Sequence, residues 1–144
     1  MSSFTIGRSE REKVSITVRG YERAASGDIH DDNWLSVVVE VRVGAFAAKC
    51  DAAFLAQDFG PFRSQLGALY DVLVGEACFT TLEEQLSLRV VGDGRGGLTV
   101  TGEVRDRPGG ANRLAFEFAL DQTSLPSTLR ELDAVVSKFP VRES

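Results

Sequence analysis

The stretch FGPFRSQLGALYDVLVG, residues 59–75, decides the fold that we predict for this chain. Its large apolar side chains recur at spacings of four, three and four residues, which places them on one face of an α-helix: Phe62, Leu66, Leu69 and Leu73. Asp58 is a suitable N-cap, Pro61 is tolerated in the first turn, and Gly75 can adopt the left-handed conformation that ends a helix. On both sides of this helix the apolar period drops to two, which is typical of strands.

Alternating polarity predicts strands before the helix, in a short segment at 4–6 and a longer one at 14–18. A charged run at 8–13 connects these two segments on the surface. The strongest strand pattern lies at 34–43, and a tight Gly-Ala turn leads from it into residues 46–55. These two segments therefore predict a β-hairpin.

After the helix, we expect an extended link at 76–81 and then three further alternating segments, at 86–90, 98–104 and 114–120. Glycine-rich turns join these segments, so we predict a meander with one polar and one apolar face. Ser124 is a suitable cap for a second helix. Its apolar side chains again recur at spacings of four, three and four residues: Leu125, Leu129, Leu132 and Val136.

Together these patterns predict an α+β fold in which a twisted antiparallel sheet of about six strands carries two α-helices on one face. The chain of 144 residues is long enough to bury its own core, so we assign residues 1–144 to a single domain. The order of strands followed by a helix occurs twice. We do not interpret this loose echo as an internal duplication.

The composition limits the kinds of partner that the chain can bind. Sixteen Lys and Arg against 21 Asp and Glu give a net charge of −5, whereas nucleic acids and anionic membranes attract basic surfaces. We therefore expect no nucleic acid and no membrane as a partner, while a basic protein partner is compatible with this charge. Residues 1–13 lack the apolar segment of a signal peptide, and two cysteines are too few for a disulfide framework. The sequence thus predicts a cytoplasmic protein.

One motif has the spacing of a dinucleotide-binding loop, since Gly92, Gly94 and Gly97 match GxGxxG. Such a site requires that the loop runs from a strand into a helix, whose N-terminus then holds the pyrophosphate. The following residues 98–104 alternate as a strand, which favours a glycine-rich hairpin turn. We therefore predict no cofactor at this motif.

The sequence contains no recognisable catalytic pattern. His30 is the single histidine, it lies in a polar stretch, and neither cysteine nor any serine sits in a nucleophile-elbow pattern. We therefore predict that this protein is not an enzyme. Asp28, Asp31 and Asp32 could chelate a cation together with His30, but they lack the spacing of a calcium loop, and an acidic surface loop explains them equally well.

Residues 20–33 have no periodicity, and we expect a long surface loop there. Trp34 follows this loop at the start of a strand. An indole in this position can anchor a partner, because Trp is enriched at binding hot spots, or it can cap the core. Glu83 and Glu84 precede an apolar strand, and we interpret them as charges at a strand edge.

Several segments of the chain resemble the WapI-type immunity protein family. The resemblance rests on residues 32–35, which open the valine-rich strand, on the helix at 58–75, and on residues 121–125, which open the last helix. The order of the elements is similar along nearly the whole chain. The resemblance implies a small bacterial protein that binds and neutralises the toxin domain of a polymorphic toxin, for example a nuclease.

An acidic inhibitor would be steered towards a basic nuclease by its charge. We predict that the irregular loop binds the cognate toxin domain, with Asp28, Asp31 and Asp32 as charges and Trp34 as an anchor. Two alternatives remain open at this point. The domain could bind a small ligand in a cleft between sheet and helices, or it could be a structural subunit of a larger assembly.

Overall fold

The structure is a computed structural model that describes residues 2–142, apart from the side chains of Ile29 and His30. Within this range the chain forms eight strands in two four-stranded antiparallel sheets, each in simple sequential order. The first sheet contains β1 (Ser2–Ser9), β2 (Glu12–Tyr21), β3 (Trp34–Val43) and β4 (Phe46–Leu55). The second contains β5 (Val74–Thr80), β6 (Leu86–Asp93), β7 (Gly97–Arg105) and β8 (Arg113–Asp121).

The described part of the chain also contains three α-helices. A single turn, α1 (Ile29–Asp32), lies between β2 and β3, while α2 (Phe59–Val72) follows β4 and α3 (Leu125–Lys138) follows β8. A short 3₁₀ turn precedes each of the two 14-residue helices. No helix in the described part of the chain has the length and apolar character that crossing a membrane requires.

The prediction of one sheet of about six strands is wrong, because the extended link that we expected at 76–81 is part of β5. This strand pairs with β6 through Ala77 opposite Val90 and Phe79 opposite Leu88, and so it begins a second sheet. The prediction of both helices on one face of one sheet fails for the same reason. Instead, α2 packs against β5 and α3 packs against β1.

Four strands, a 3₁₀ turn and a 14-residue helix therefore occur twice along the chain, and each helix covers the first strand of the other half. The edge strands β5 and β1 each donate a hydrogen bond to a side chain of the helix that packs on them, in matching ways. Gln65 of α2 accepts a hydrogen bond on Oε1 from the backbone N–H of Cys78 in β5, at 2.8 Å. Glu131 of α3 accepts one on Oε1 from the N–H of Thr5 in β1, at 3.0 Å. Both contacts satisfy backbone groups that an edge strand otherwise leaves open to a second chain.

One hydrophobic core joins both sheets and both long helices. At its centre, the ring of Phe79 in β5 lies 5.5 Å from Phe54 of β4, 5.8 Å from Phe59 and 5.4 Å from Phe62 of α2 (centroid distances). The helical stripe predicted from the sequence contributes Leu66 and other fully buried side chains to this core. A bidentate ion pair between Arg63 and Asp133 then links the two helices at the surface, with its shorter N···O distance at 2.7 Å.

The structure changes both ends predicted for the first helix. Leu73, with φ of 65°, takes the left-handed position and donates its N–H to Leu69 O, whereas Gly75 lies inside β5. Asp58 belongs to the 3₁₀ turn, and its carboxylate accepts from Leu55 N at 2.8 Å rather than from the first turn of α2. The extra 3₁₀ turn explains the different role of Asp58, because the turn places the first unpaired N–H groups at residue 55, before the start of α2.

Other predictions are confirmed. The bounds of β3 and β4 are those of the predicted hairpin, and β6, β7 and β8 form the predicted meander. The GxGxxG motif forms the turn between β6 and β7, where Gly94 and Gly96 have φ of 85° and 101°. The carboxylate of Asp93 holds this turn by accepting from the N–H groups of Arg95 and Gly97.

Candidate functional site

The segment that we predicted as a long loop at 20–33 is shorter in the structure. Because Tyr21 still pairs with Leu35, β2 extends to Tyr21, and α1 then takes up Ile29–Asp32. The side chain of His30 lies outside the described residues, so our expectations about it stay predictions. The irregular part is therefore residues 22–28, held between two regular elements.

The carboxylate of Asp32 organises this segment. Asp32 is only 4% exposed, and its oxygens accept hydrogen bonds from Ser26 Oγ at 2.7 Å and from the N–H groups of Ser26 and Gly27 at 2.8 Å. The hydroxyl of Ser26 is the main cause that lowers the pKa of this carboxyl below its ordinary value. Asp32 thus fixes the conformation of the segment, while Asp28 and Asp31 lie at the surface.

Asn33 attaches the segment to the C-terminal part of the chain. Its side chain is fully buried, donates from Nδ2 to Arg142 O at 3.0 Å and accepts from Arg142 N at 2.7 Å. The guanidinium of Arg142 also lies over the ring of Tyr21, 3.4 Å from its centroid. These contacts join the end of the segment to Arg142 beside β2. Sequence reasoning missed the role of Asn33, because its partner is 109 residues away.

We expect the Asp32→Asn variant to unfold more readily than the wild type at neutral pH, because an ionised carboxylate accepts stronger hydrogen bonds than an amide does. Since folding lowers the pKa of Asp32, this contribution is complete above the ordinary value of 3.8 and is lost as the pH falls through the lower folded value. Chemical denaturation from about pH 7 to about pH 3 measures this difference. The control is Asp31→Asn, whose carboxylate is 52% exposed. A difference that stays constant with pH would contradict the assignment.

Trp34 lies partly buried at the start of β3, in an open cleft of about 220 Å³. The cleft brings together residues from four separate segments of the chain: Glu22, Arg23, Trp34, Ala53 and Glu83. Asp31 joins it from α1, because its carboxylate lies 3.7 Å from the guanidinium of Arg23. We call these six residues the Trp34 surface. It combines an indole with three carboxylates and one guanidinium.

The loop 81–84 forms the far side of the Trp34 surface. Its turn is closed by a hydrogen bond from Glu84 N to Thr81 O at 3.0 Å, and Leu82 at its tip is 71% exposed. The buried side chain of Gln85 anchors the loop, because its Nε2 donates to Asp51 O in the first sheet and to Arg105 O in the second. Glu83 and Glu84 precede the apolar strand β6, as predicted, and they lie in this loop rather than along a strand.

Comparison with known proteins gives one family. A model described as "Immunity protein WapI-like family" matches residues 5–140 of the 144-residue chain. A search of curated proteins gave no match. Among the described residues, no group of three or more His, Cys, Asp and Glu side chains is arranged to hold a metal ion.

Proposed function

Since this chain belongs to the WapI-like immunity protein family, whose model covers residues 5–140, we propose that it binds a cognate toxin domain and blocks its activity. The family match is the observation that carries this proposal. In this proposal residues 1–144 act as one cytoplasmic binding domain without catalysis of their own.

The chemistry of the Trp34 surface supports a basic protein as the partner. Glu22, Arg23 and Glu83 line one cleft with the partly exposed Trp34, Asp31 pairs with Arg23, and Asp28 lies at the surface directly before α1. Aromatic side chains carry much of the energy of protein interfaces, and surrounding charges steer the partner and set specificity. With a net charge of −5, the whole chain attracts a basic toxin such as a nuclease. We therefore propose that the Trp34 surface contacts the toxin.

To test this proposal, we would first identify a candidate toxin domain among the secreted proteins encoded near the gene of this chain. We expect that co-expression of the wild-type chain restores growth to cells that produce this toxin domain, and that the two purified proteins form a stable complex in size-exclusion chromatography. The control is a toxin domain encoded at an unrelated locus, against which the chain gives no protection. A chain that neither binds nor protects against this candidate toxin would contradict the proposed function.

A further inference from the structure

We propose that Arg142, in the segment 139–142 that follows α3, holds the Trp34 surface in the conformation that binds the toxin domain, an inference that rests on the proposed function. Arg142 is not among the residues that line the cleft of Trp34. It contacts Arg23, which does line this cleft, and the chain on either side of it. Arg142 is therefore a positioning residue in this proposal.

The contacts of Arg142 lie at both ends of the excursion that the chain makes between β2 and β3. At the first end, its guanidinium lies 3.4 Å from the centroid of the Tyr21 ring, and its Nη1 donates to Arg23 O at 3.1 Å. At the second end, its backbone N–H donates to Asn33 Oδ1, and its carbonyl accepts from Asn33 Nδ2. One residue thus joins the point where the chain leaves β2 to the point where it enters β3.

The segment 139–142 is itself attached to the fold. Phe139 is 8% exposed and belongs to the hydrophobic core, and its ring packs edge-on against Tyr21 with the centroids 5.7 Å apart. The hydroxyl of Tyr21 also donates to Pro140 O. A segment that follows the last helix frays unless such contacts tie it down. The support for Arg142 therefore extends back into the core.

The position of Arg23 matters because its side chain lines the same cleft as Trp34 and pairs with Asp31 at 3.7 Å. A hydrogen bond from Glu22 N to Trp34 O, at 2.9 Å, closes the backbone beside it. A surface that is ordered before its partner arrives loses less conformational entropy on binding. Removing the side chain of Arg142 then lowers the fraction of molecules that can bind, and the observed affinity falls by the same factor.

The sign of the charge separates this role from a general electrostatic effect. The chain has a net charge of −5, and the loss of one cation makes it more negative, which favours a basic partner. Electrostatics alone therefore predict that Arg142→Ala strengthens binding, whereas the loss of position predicts that it weakens binding. Arg130→Ala is the matched control, because Arg130 is exposed on α3 and its removal changes the net charge by the same amount.

The first measurement uses the free chain, without any toxin. Trp34 is the single tryptophan of the sequence, so tryptophan fluorescence reports on this surface alone. We expect Arg142→Ala to increase the quenching of Trp34 by acrylamide. We also expect amide exchange at Ser26 and Gly27 to become about tenfold faster, because these N–H groups donate to Asp32 within the same excursion. Unchanged quenching and exchange would overturn the inference.

A conservative variant and the thermal stability distinguish positioning from a purely structural role. Arg142→Lys keeps a cation that can lie over the ring of Tyr21, and it is expected to restore most of the protection. Tm is expected to stay within about 2 °C of the wild type in both variants, because the core contacts of Phe139 and the backbone contacts with Asn33 remain. A lower Tm with unchanged quenching would show a structural role only.

Calorimetric titration with the candidate toxin domain completes the test. We expect Arg142→Ala to weaken the affinity about tenfold, Arg142→Lys to weaken it less, and Arg130→Ala to leave it within about twofold. If the toxin binds the wild type and Arg142→Ala equally, Arg142 does not position the binding surface, while the proposed function stands. If the wild-type chain binds no toxin, the proposed function fails, and the quenching and exchange data still decide whether Arg142 orders this surface.

Discussion

Phe79→Ala is expected to lower the free energy of unfolding by about 3–5 kcal/mol, a loss typical of deleting a fully buried aromatic ring. Phe79 is 1% exposed, and its ring contacts Phe54, Phe59 and Phe62. It lies on the second sheet, whereas two of its neighbours come from the first sheet and from the first residue of α2. The substitution therefore leaves a cavity where the two halves of the molecule meet.

Urea denaturation followed by circular dichroism measures this effect, and both halves are expected to unfold in one transition because they share the core. Val74→Ala in the same strand is the matched control. Its side chain is 60% exposed, so a change of about 0.5 kcal/mol or less is expected. A loss below about 1 kcal/mol for Phe79→Ala would contradict the central position of this ring.

Trp34→Ala is expected to weaken toxin binding about 30-fold, which corresponds to the roughly 2 kcal/mol that defines an interface hot spot. The reason is that the indole is a large, partly buried side chain that lines the same cleft as Glu22, Arg23 and Glu83. Calorimetric or surface-based titration with the candidate toxin domain gives the affinity.

Two further variants make this prediction specific. Trp34→Phe retains an aromatic ring and is expected to recover much of the affinity. Phe46→Ala removes an aromatic side chain that is 63% exposed at the turn between β3 and β4, and it is expected to bind like the wild type. If Trp34→Ala binds normally while Phe46→Ala does not, the toxin contacts a different face.

Local patterns were enough to predict most of the elements. The hairpin at 34–43 and 46–55 was predicted with its correct bounds, because long alternation and a glycine-containing turn report on adjacent segments of the chain. By contrast, β5 has only Ala77 and Phe79 as buried side chains. Its partner strand is β6, and no short turn in the sequence indicates this pairing. Alternation indicates a strand but does not reveal which strand it pairs with, so the division into two sheets was not visible.

Of the candidate site, the sequence indicated the residues that are adjacent along the chain and not those that the fold brings to them. Asp31 and Trp34 were identified because an acidic segment and an indole are adjacent in sequence. Glu22 and Glu83 belong to the same surface only because β2 and the loop before β6 end beside Trp34. The three hydrogen bonds that bury Asp32 likewise depend on how the segment folds back on itself.

Each long helix packs on the first strand of the other half of the chain, and this arrangement has a consequence for synthesis on the ribosome. When a nascent chain has emerged as far as the end of α2, the N–H of Thr5 has no hydrogen bond yet, because its acceptor Glu131 lies 126 residues downstream. The emerging half therefore exposes a strand that can pair with a neighbouring polypeptide. We expect the native state to form only after α3 (Leu125–Lys138) has left the ribosome, and a polypeptide truncated before residue 125 to require chaperones to stay dispersed.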